Sequence, residues 1–229
     1  MTFIDTHKRW IYPTLIVLFL APFTPYLDLE FENYFYSIGN DPISHFVSNP
    51  LTDFVYDFLP LPIMGFLILC GLLFLLSFFA LKPLRNPMMV IMLTTILGSG
   101  LLVHVAAKEV WGRPRPKQVE NYGGNQPYRP IWKPEYNPPE PSKSFSCGHC
   151  TLGFVFFSLY LVGIRIRSRY LQILGLTLAL FLGFLFGFVR MAQGAHFFSD
   201  VIFSAYFMWI AALISDWLVY KPEELETAH

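Results

Sequence analysis

Charge is scarce in this 229-residue chain: 14% of its residues are Asp, Glu, Lys or Arg, the two signs cancel at 16 each, and 54% of the chain is hydrophobic. That composition excludes an ordinary soluble domain, which carries about a quarter charged residues. Lys and Arg are missing altogether from Thr24 to Leu59, while Asp28, Glu30, Glu32, Asp41, Asp53 and Asp57 fall there. Cysteine is limited to three residues, Cys70, Cys147 and Cys150. No internal repeat, low-complexity tract or second domain is visible, so residues 1–229 read as a single membrane-embedded domain. Zero net charge by itself says little about partners in such a chain; a membrane lipid is expected and no nucleic acid, and the sequence sets no oligomeric state.

What is abundant is apolar length. Runs able to cross about 30 Å of hydrocarbon, roughly 20 residues each, fall near 10–27, 60–81, 87–107, 149–165, 170–190 and 200–219. Pro13, Pro22 and Pro25 interrupt the first, and no small-residue cleavage site follows it, so it reads as a span rather than a removable signal. The expected fold is all-α, a polytopic bundle of six transmembrane helices. Lys8, Arg9, Lys82, Arg85, Arg165, Arg167, Arg169 and Lys221 belong inside by the charge rule, and the acidic stretch 24–59 outside. Both termini are then cytoplasmic.

One loop breaks that rule. Between spans three and four, Lys108, Arg113, Arg115, Lys117, Arg129, Lys133 and Lys143 all fall outside. An anionic ligand is the simplest reason for cations there. Prolines and the aromatics Tyr122, Tyr128, Trp132 and Tyr136 make residues 117–143 an ordered, non-helical cover, with the aromatics read as an interfacial belt.

At the outer ends of the spans the polar groups converge. Lys108 ends span three and Arg115 follows in KEVWGRPRP; Gly148 and His149 open span four; Arg190 ends span five; His196 and Asp200 enter span six. Phosphoryl transfer needs such a set, because its transition state spreads negative charge over three oxygens that guanidinium forks and an ammonium can clamp. Lys108, Arg115 and Arg190 would form the clamp, with backbone donors at Gly148. Asp200, one helical turn past His196, would hold one imidazole nitrogen protonated and leave the other as nucleophile. His149 would protonate the leaving alkoxide and then activate water. No metal or cofactor is required. His104 reads as a packing or supporting histidine, Arg113 as either a phosphate or a headgroup contact, and Glu109 as a structural partner for a nearby arginine. Arg129, Lys133 and Lys143 read as solvent or headgroup contacts.

Other chemistries remain open at this point. SFSCGHC, residues 144–150, contains the CxxC of thiol–disulfide exchange centres. A thioredoxin-type centre needs a βαβ scaffold that nothing nearby suggests, and a membrane thiol oxidase usually needs a second cysteine pair. A zinc site from Cys147, His149, Cys150 and His196 is conceivable, but it leaves three cations unexplained beside a dication. An anionic-lipid transporter would use the cations without needing the His196–Asp200 pair.

The same residues carry a family resemblance. Lys108 with Arg115-Pro116 resembles the KxxxxxxRP motif of the type 2 phosphatidic acid phosphatase superfamily, Ser146-Cys147-Gly148-His149 its PSGH, and Arg190, His196 and Asp200 its SRxxxxxHxxxD. The resemblance covers roughly Lys82 to Tyr220. It implies a six-helix membrane lipid phosphatase with a metal-independent phosphohistidine mechanism, with His196 as nucleophile, His149 as general acid and base, Asp200 orienting His196, and Lys108, Arg115, Arg190, Gly148 and Cys147 binding phosphate. Cys147 and Val189 stand where the family has serines, and a thiol is a poor donor. SCGH together with QGAHFFSD is similar to the lipid A phosphatases of Gram-negative bacteria, the 4′-phosphatase type in particular. Undecaprenyl pyrophosphate and phosphatidylglycerol phosphate are the other expected substrates. The expected setting is a bacterial inner membrane, with the site facing outward and a lipid entering from the bilayer.

Overall fold

A computed structural model describes residues 3–108 and 110–220. Six helices are long and apolar enough to span a membrane: α1 (His7–Ser37), α2 (Pro50–Leu76), α3 (Lys82–Lys108), α4 (Gly148–Arg165), α5 (Arg169–Ala192) and α6 (Phe198–Tyr220). Among the described residues β structure is limited to an isolated bridge between Val119 and Gln126. The expected all-α bundle is therefore what forms.

Its boundaries differ most from the apolar runs in two places. Span α1 continues to Ser37 because Pro22 and Pro25 fall at the first positions of the successive helical segments Ala21–Phe23 and Thr24–Ser37. Proline lacks an N–H that those positions do not need, so it restarts the helix there. Asp28 and Glu32, expected on an outer surface, are consequently fully buried in the bundle. Span α2 begins ten residues earlier than the apolar run. Asn49 caps it by accepting from the Leu51 and Thr52 amides, and Thr52 accepts from the Asn49 amide in return.

Side-chain size sets the packing. Spans α4 and α5 approach so closely at Gly153 and Gly183 that a methyl group on either would overlap the other helix. Phe154, Phe186, Phe197 and Met208 fill the buried core around that crossing. Span α1 is fastened to α6 by a Thr14–Tyr206 hydroxyl contact of 3.0 Å and by the Trp209 indole, which donates to the Arg9 carbonyl at 2.9 Å. At the end opposite the long loop, Arg165 forks onto Asp216 at 2.8 and 2.7 Å. The last part of α3, Thr95–Lys108, is a π-helix. That i→i+5 winding keeps residues four or five apart on one face, which aligns His104 with Lys108.

The loop between α3 and α4 is ordered, as expected, but its aromatics divide. Tyr122 and Tyr128 dock inward: the Tyr122 hydroxyl donates to the Leu29 carbonyl at 3.2 Å and to Asn33 at 3.0 Å, and Tyr128 donates to Asp28 at 2.8 Å. Burial raises both phenols above their ordinary pKa, and the nearby carboxylates add to that. Only Trp132 and Tyr136 of the four are exposed in the way a belt residue would be.

Candidate active site

All the motif residues gather at the end of the bundle that carries this loop. Gly148 opens α4 directly beneath the π-helical end of α3. A Cβ built on it would stand 3.1 Å from His104 Nε2 and 3.5 Å from Lys108 Nζ, so a side chain there would press on the His104 ring, and the α4 backbone lies close to the ammonium. His104 is exposed and its Nδ1 lies 2.6 Å from the Ser99 carbonyl. It faces the same space as Lys108.

His149 follows on α4 and stacks on Tyr56 of α2, ring centroids 4.6 Å apart and planes 25° from parallel. The Arg190 guanidinium carbon stands 4.6 Å from the centroid of that same ring, and its Nη1 donates to Gln193 at 2.7 Å. Arg115 lies within electrostatic range of Arg190 and Lys117. Partial burial lowers the Lys117 pKa, and the Arg115 and Arg190 charges lower it further.

His196 sits in the connection between α5 and α6, 1% exposed. The turn that delivers it is closed by Gly194, which adopts a positive φ of 61° and whose carbonyl accepts the Lys117 amide at 3.1 Å. Sequence spacing places His196 and Asp200 on one helical face; instead α6 begins at Phe198, after the histidine. Asp200 caps that helix start, accepting from the Phe197 amide at 2.8 Å. The direct partner of His196 Nδ1 is the Ser144 carbonyl at 2.6 Å, with the Asp200 carboxylate 3.7 Å away. Asp200 acts one step removed, through the Ser144 hydroxyl that donates to it at 2.6 Å. A carbonyl can only accept, so Nδ1 carries the proton and Nε2 bears the lone pair. Burial holds the His196 pKa down to about 4 despite the Asp200 carboxylate, and the Arg190 and Lys108 charges push the same way. The imidazole is neutral at pH 7.

Arg113 is not a phosphate or headgroup contact. It is 1% exposed and spans two carboxylates, Asp28 of α1 at 2.7 Å and Asp200 of α6 at 2.5 Å. Its remaining donors reach Ser199 at 2.8 Å and the Arg129 carbonyl at 2.9 Å, and its plane lies over Phe197. Burial alone would favour the neutral form, but the two carboxylates hold the guanidinium pKa above its usual value. Arg129 pairs with Glu135, and Glu109 lies outside the described residues.

Cys147 departs from the phosphate-binding role that the resemblance implies, though a pairing with Cys150 is open from the sequence. It forms a disulfide with Cys150, Cα atoms 5.5 Å apart, and both are fully buried. No thiol is left to donate to phosphate, and the Cys147 amide is spent on the Asp200 carbonyl at 3.4 Å. The same bond removes two ligands from a zinc site, and burial keeps it from an exchange partner. Among the described residues, two buried hydrogen-bonding atoms at these segments have no protein partner, Ser146 Oγ and Arg190 Nε.

The site thus assembles Lys108, His104, Gly148, His149, Arg190, Arg115 and His196, and assigns Arg113 and Cys147 to its framework. Sequence reasoning missed Tyr56, gave Ser144 and Ser146 no separate role, and named Lys117 only as one of the loop cations. Lys117 was visible as a charge beside Arg115; Tyr56 lies far from every motif and carries no local signal.

Comparison with known proteins places this geometry. Residues 88–223 match the family described as the PAP2 superfamily. The chain is 30% identical over 207 residues to the lipid A 4′-phosphatase of Francisella tularensis subsp. novicida (strain U112), covering 87% of this chain and 89% of the relative. No solved structure matches the chain.

Proposed function

The chain belongs to the PAP2 superfamily and is a multi-pass membrane lipid phosphatase; on that premise we propose that it removes a phosphomonoester from lipid A through a phosphohistidine formed on His196, without a metal. The observation that carries this reading is the 2.6 Å contact of His196 Nδ1 with the Ser144 carbonyl, which leaves Nε2 as an unprotonated nucleophile in a buried, cation-rich setting.

In the proposed reaction Lys108, Arg115 and Arg190 hold the phosphoryl oxygens, with Arg190 Nε and Ser146 Oγ as further donors. Nε2 of His196 bonds to phosphorus as the bond to the lipid oxygen breaks, and His149 gives its proton to that oxygen. Water then attacks phosphorus, loses a proton to His149, and releases inorganic phosphate with neutral His196 restored. Asp200 keeps Ser144, and through it the His196 tautomer, in place. The proposed setting is a bacterial inner membrane with both termini cytoplasmic and the site facing the periplasm. The distribution of Lys and Arg supports that orientation, and the Francisella relative supports the substrate.

The test uses purified protein in detergent with excess chelator, offered lipid A, undecaprenyl pyrophosphate, phosphatidylglycerol phosphate and phosphatidic acid while released phosphate is counted. Release from lipid A that vanadate blocks and His196→Ala abolishes is expected, together with an acid-labile phosphoenzyme. Dependence on added zinc, or full turnover by the His196 variant, would overturn the mechanism. Preference for another lipid in the panel would overturn the substrate alone.

A further inference from the structure

Tyr56 is the unexplained neighbour of two site residues. It lies in the first helical segment of α2, Pro50–Asp57, whose start is fixed by the Asn49 cap. Its half-buried ring contacts both the His149 imidazole, stacked at 4.6 Å, and the Arg190 guanidinium, whose carbon is 4.6 Å from the ring centroid. The next residue, Asp57, lies within electrostatic range of His149. An aromatic face carries the negative part of the ring quadrupole, so it attracts a guanidinium and an imidazolium alike. His149 and Arg190 would otherwise meet as like charges whenever the histidine is protonated. They come from different spans, and the ring supplied by a third span touches them both.

We infer that Tyr56 is a positioning residue that sets the leaving-group acid and one arm of the phosphate clamp in register. The inference rests on the proposed roles of His149 and Arg190. The ring face does this work, so the phenol hydroxyl is dispensable. Loss of the ring therefore impairs proton donation to the lipid oxygen and weakens phosphate binding together.

The experiment compares Tyr56→Leu and Tyr56→Phe with the parent enzyme in detergent, each on a lipid phosphomonoester and on p-nitrophenyl phosphate. The nitrophenolate leaves without a proton, so it reports phosphoryl transfer with little demand on the acid. For Tyr56→Leu the expected result is a rise in KM and a fall in kcat/KM of about tenfold or more on the lipid, with a smaller fall on p-nitrophenyl phosphate. Tyr56→Phe should restore both to within about twofold. The ratio of the two substrates does not depend on how much protein is folded. Equal losses on both substrates with unchanged KM, no loss in the leucine variant, or failure of phenylalanine to rescue would each overturn the inference. His149→Ala is run alongside: if it keeps the parent substrate ratio, the acid role of His149 fails, and that failure is distinct from a failure of Tyr56.

Discussion

Replacing Arg113 with methionine keeps an unbranched apolar stem and deletes the charge that joins α1 to α6. The two carboxylates it bridges are fully buried, at 2.7 and 2.5 Å from its terminal nitrogens. Removing one member of a buried ion pair costs about 3–5 kcal/mol, because the remaining charge is left in a medium that cannot solvate it. Here two carboxylates are stranded by one deletion, with Glu32 nearby, so the upper part of that range applies. For a chain of this size each kcal/mol moves the melting temperature by about 2–4 °C, which at about 4–5 kcal/mol predicts a fall of roughly 8–20 °C. The assay is thermal unfolding in detergent, followed by a thiol-reactive dye. Cys70 is the buried free cysteine and the other two are bonded to each other, so the dye reports the opening of α2. Asp28→Asn in the same chain should recover part of the loss. A melting temperature within about 2 °C of the parent, with KM raised instead, would refute the reasoning and return Arg113 to the role of phosphate ligand.

Four other outcomes are expected. Because the His196 pKa lies near 4 rather than at its ordinary value, the acid limb of kcat/KM should fall about tenfold per pH unit below about pH 4; a limb near 6.5 would contradict it. The same lowered pKa makes stability complete above the unfolded value and progressively lost as pH falls from there through 4, which unfolding midpoints across that window will show. Replacing Cys147 and Cys150 together with alanine should cost about 2 kcal/mol, the entropy of a four-residue loop, seen as a lower melting temperature, while thiol-blocking reagents leave turnover of the parent unchanged. Gly148→Ala should raise KM about tenfold with little change in melting temperature, since its methyl would press on the His104 ring beside Lys108.

Six spans and three ordered motifs could be read from the sequence because each depends on residues close together in the chain: a run of apolar side chains, or a fixed spacing around a helix end. The framework of the site could not. Arg113 and Asp28 are separated by 85 positions, and no local pattern pairs a loop arginine with an acid that lies two whole spans earlier in the chain. Pro22 and Pro25 of α1 mark a break in an apolar profile yet occupy first-turn positions where a helix tolerates them, so Asp28 and Glu32 looked external. The acceptor for His196 is a main-chain carbonyl, which any residue at position 144 would supply, and the spacing to Asp200 pointed to the carboxylate instead. Tyr56 is specified by the docking of α2 against α4 and α5, a tertiary event with no signature in its own neighbourhood.

The ion triad gives the N-terminal span a share in a region it precedes. The family match starts at residue 88, yet one of the two counter-ions for Arg113 is Asp28. A gene trimmed to the matched region would keep every signature residue and still deprive Arg113 of one of its two counter-ions. Recombining such halves between relatives should succeed only when the donor of the first helix brings its own acid at the matching turn.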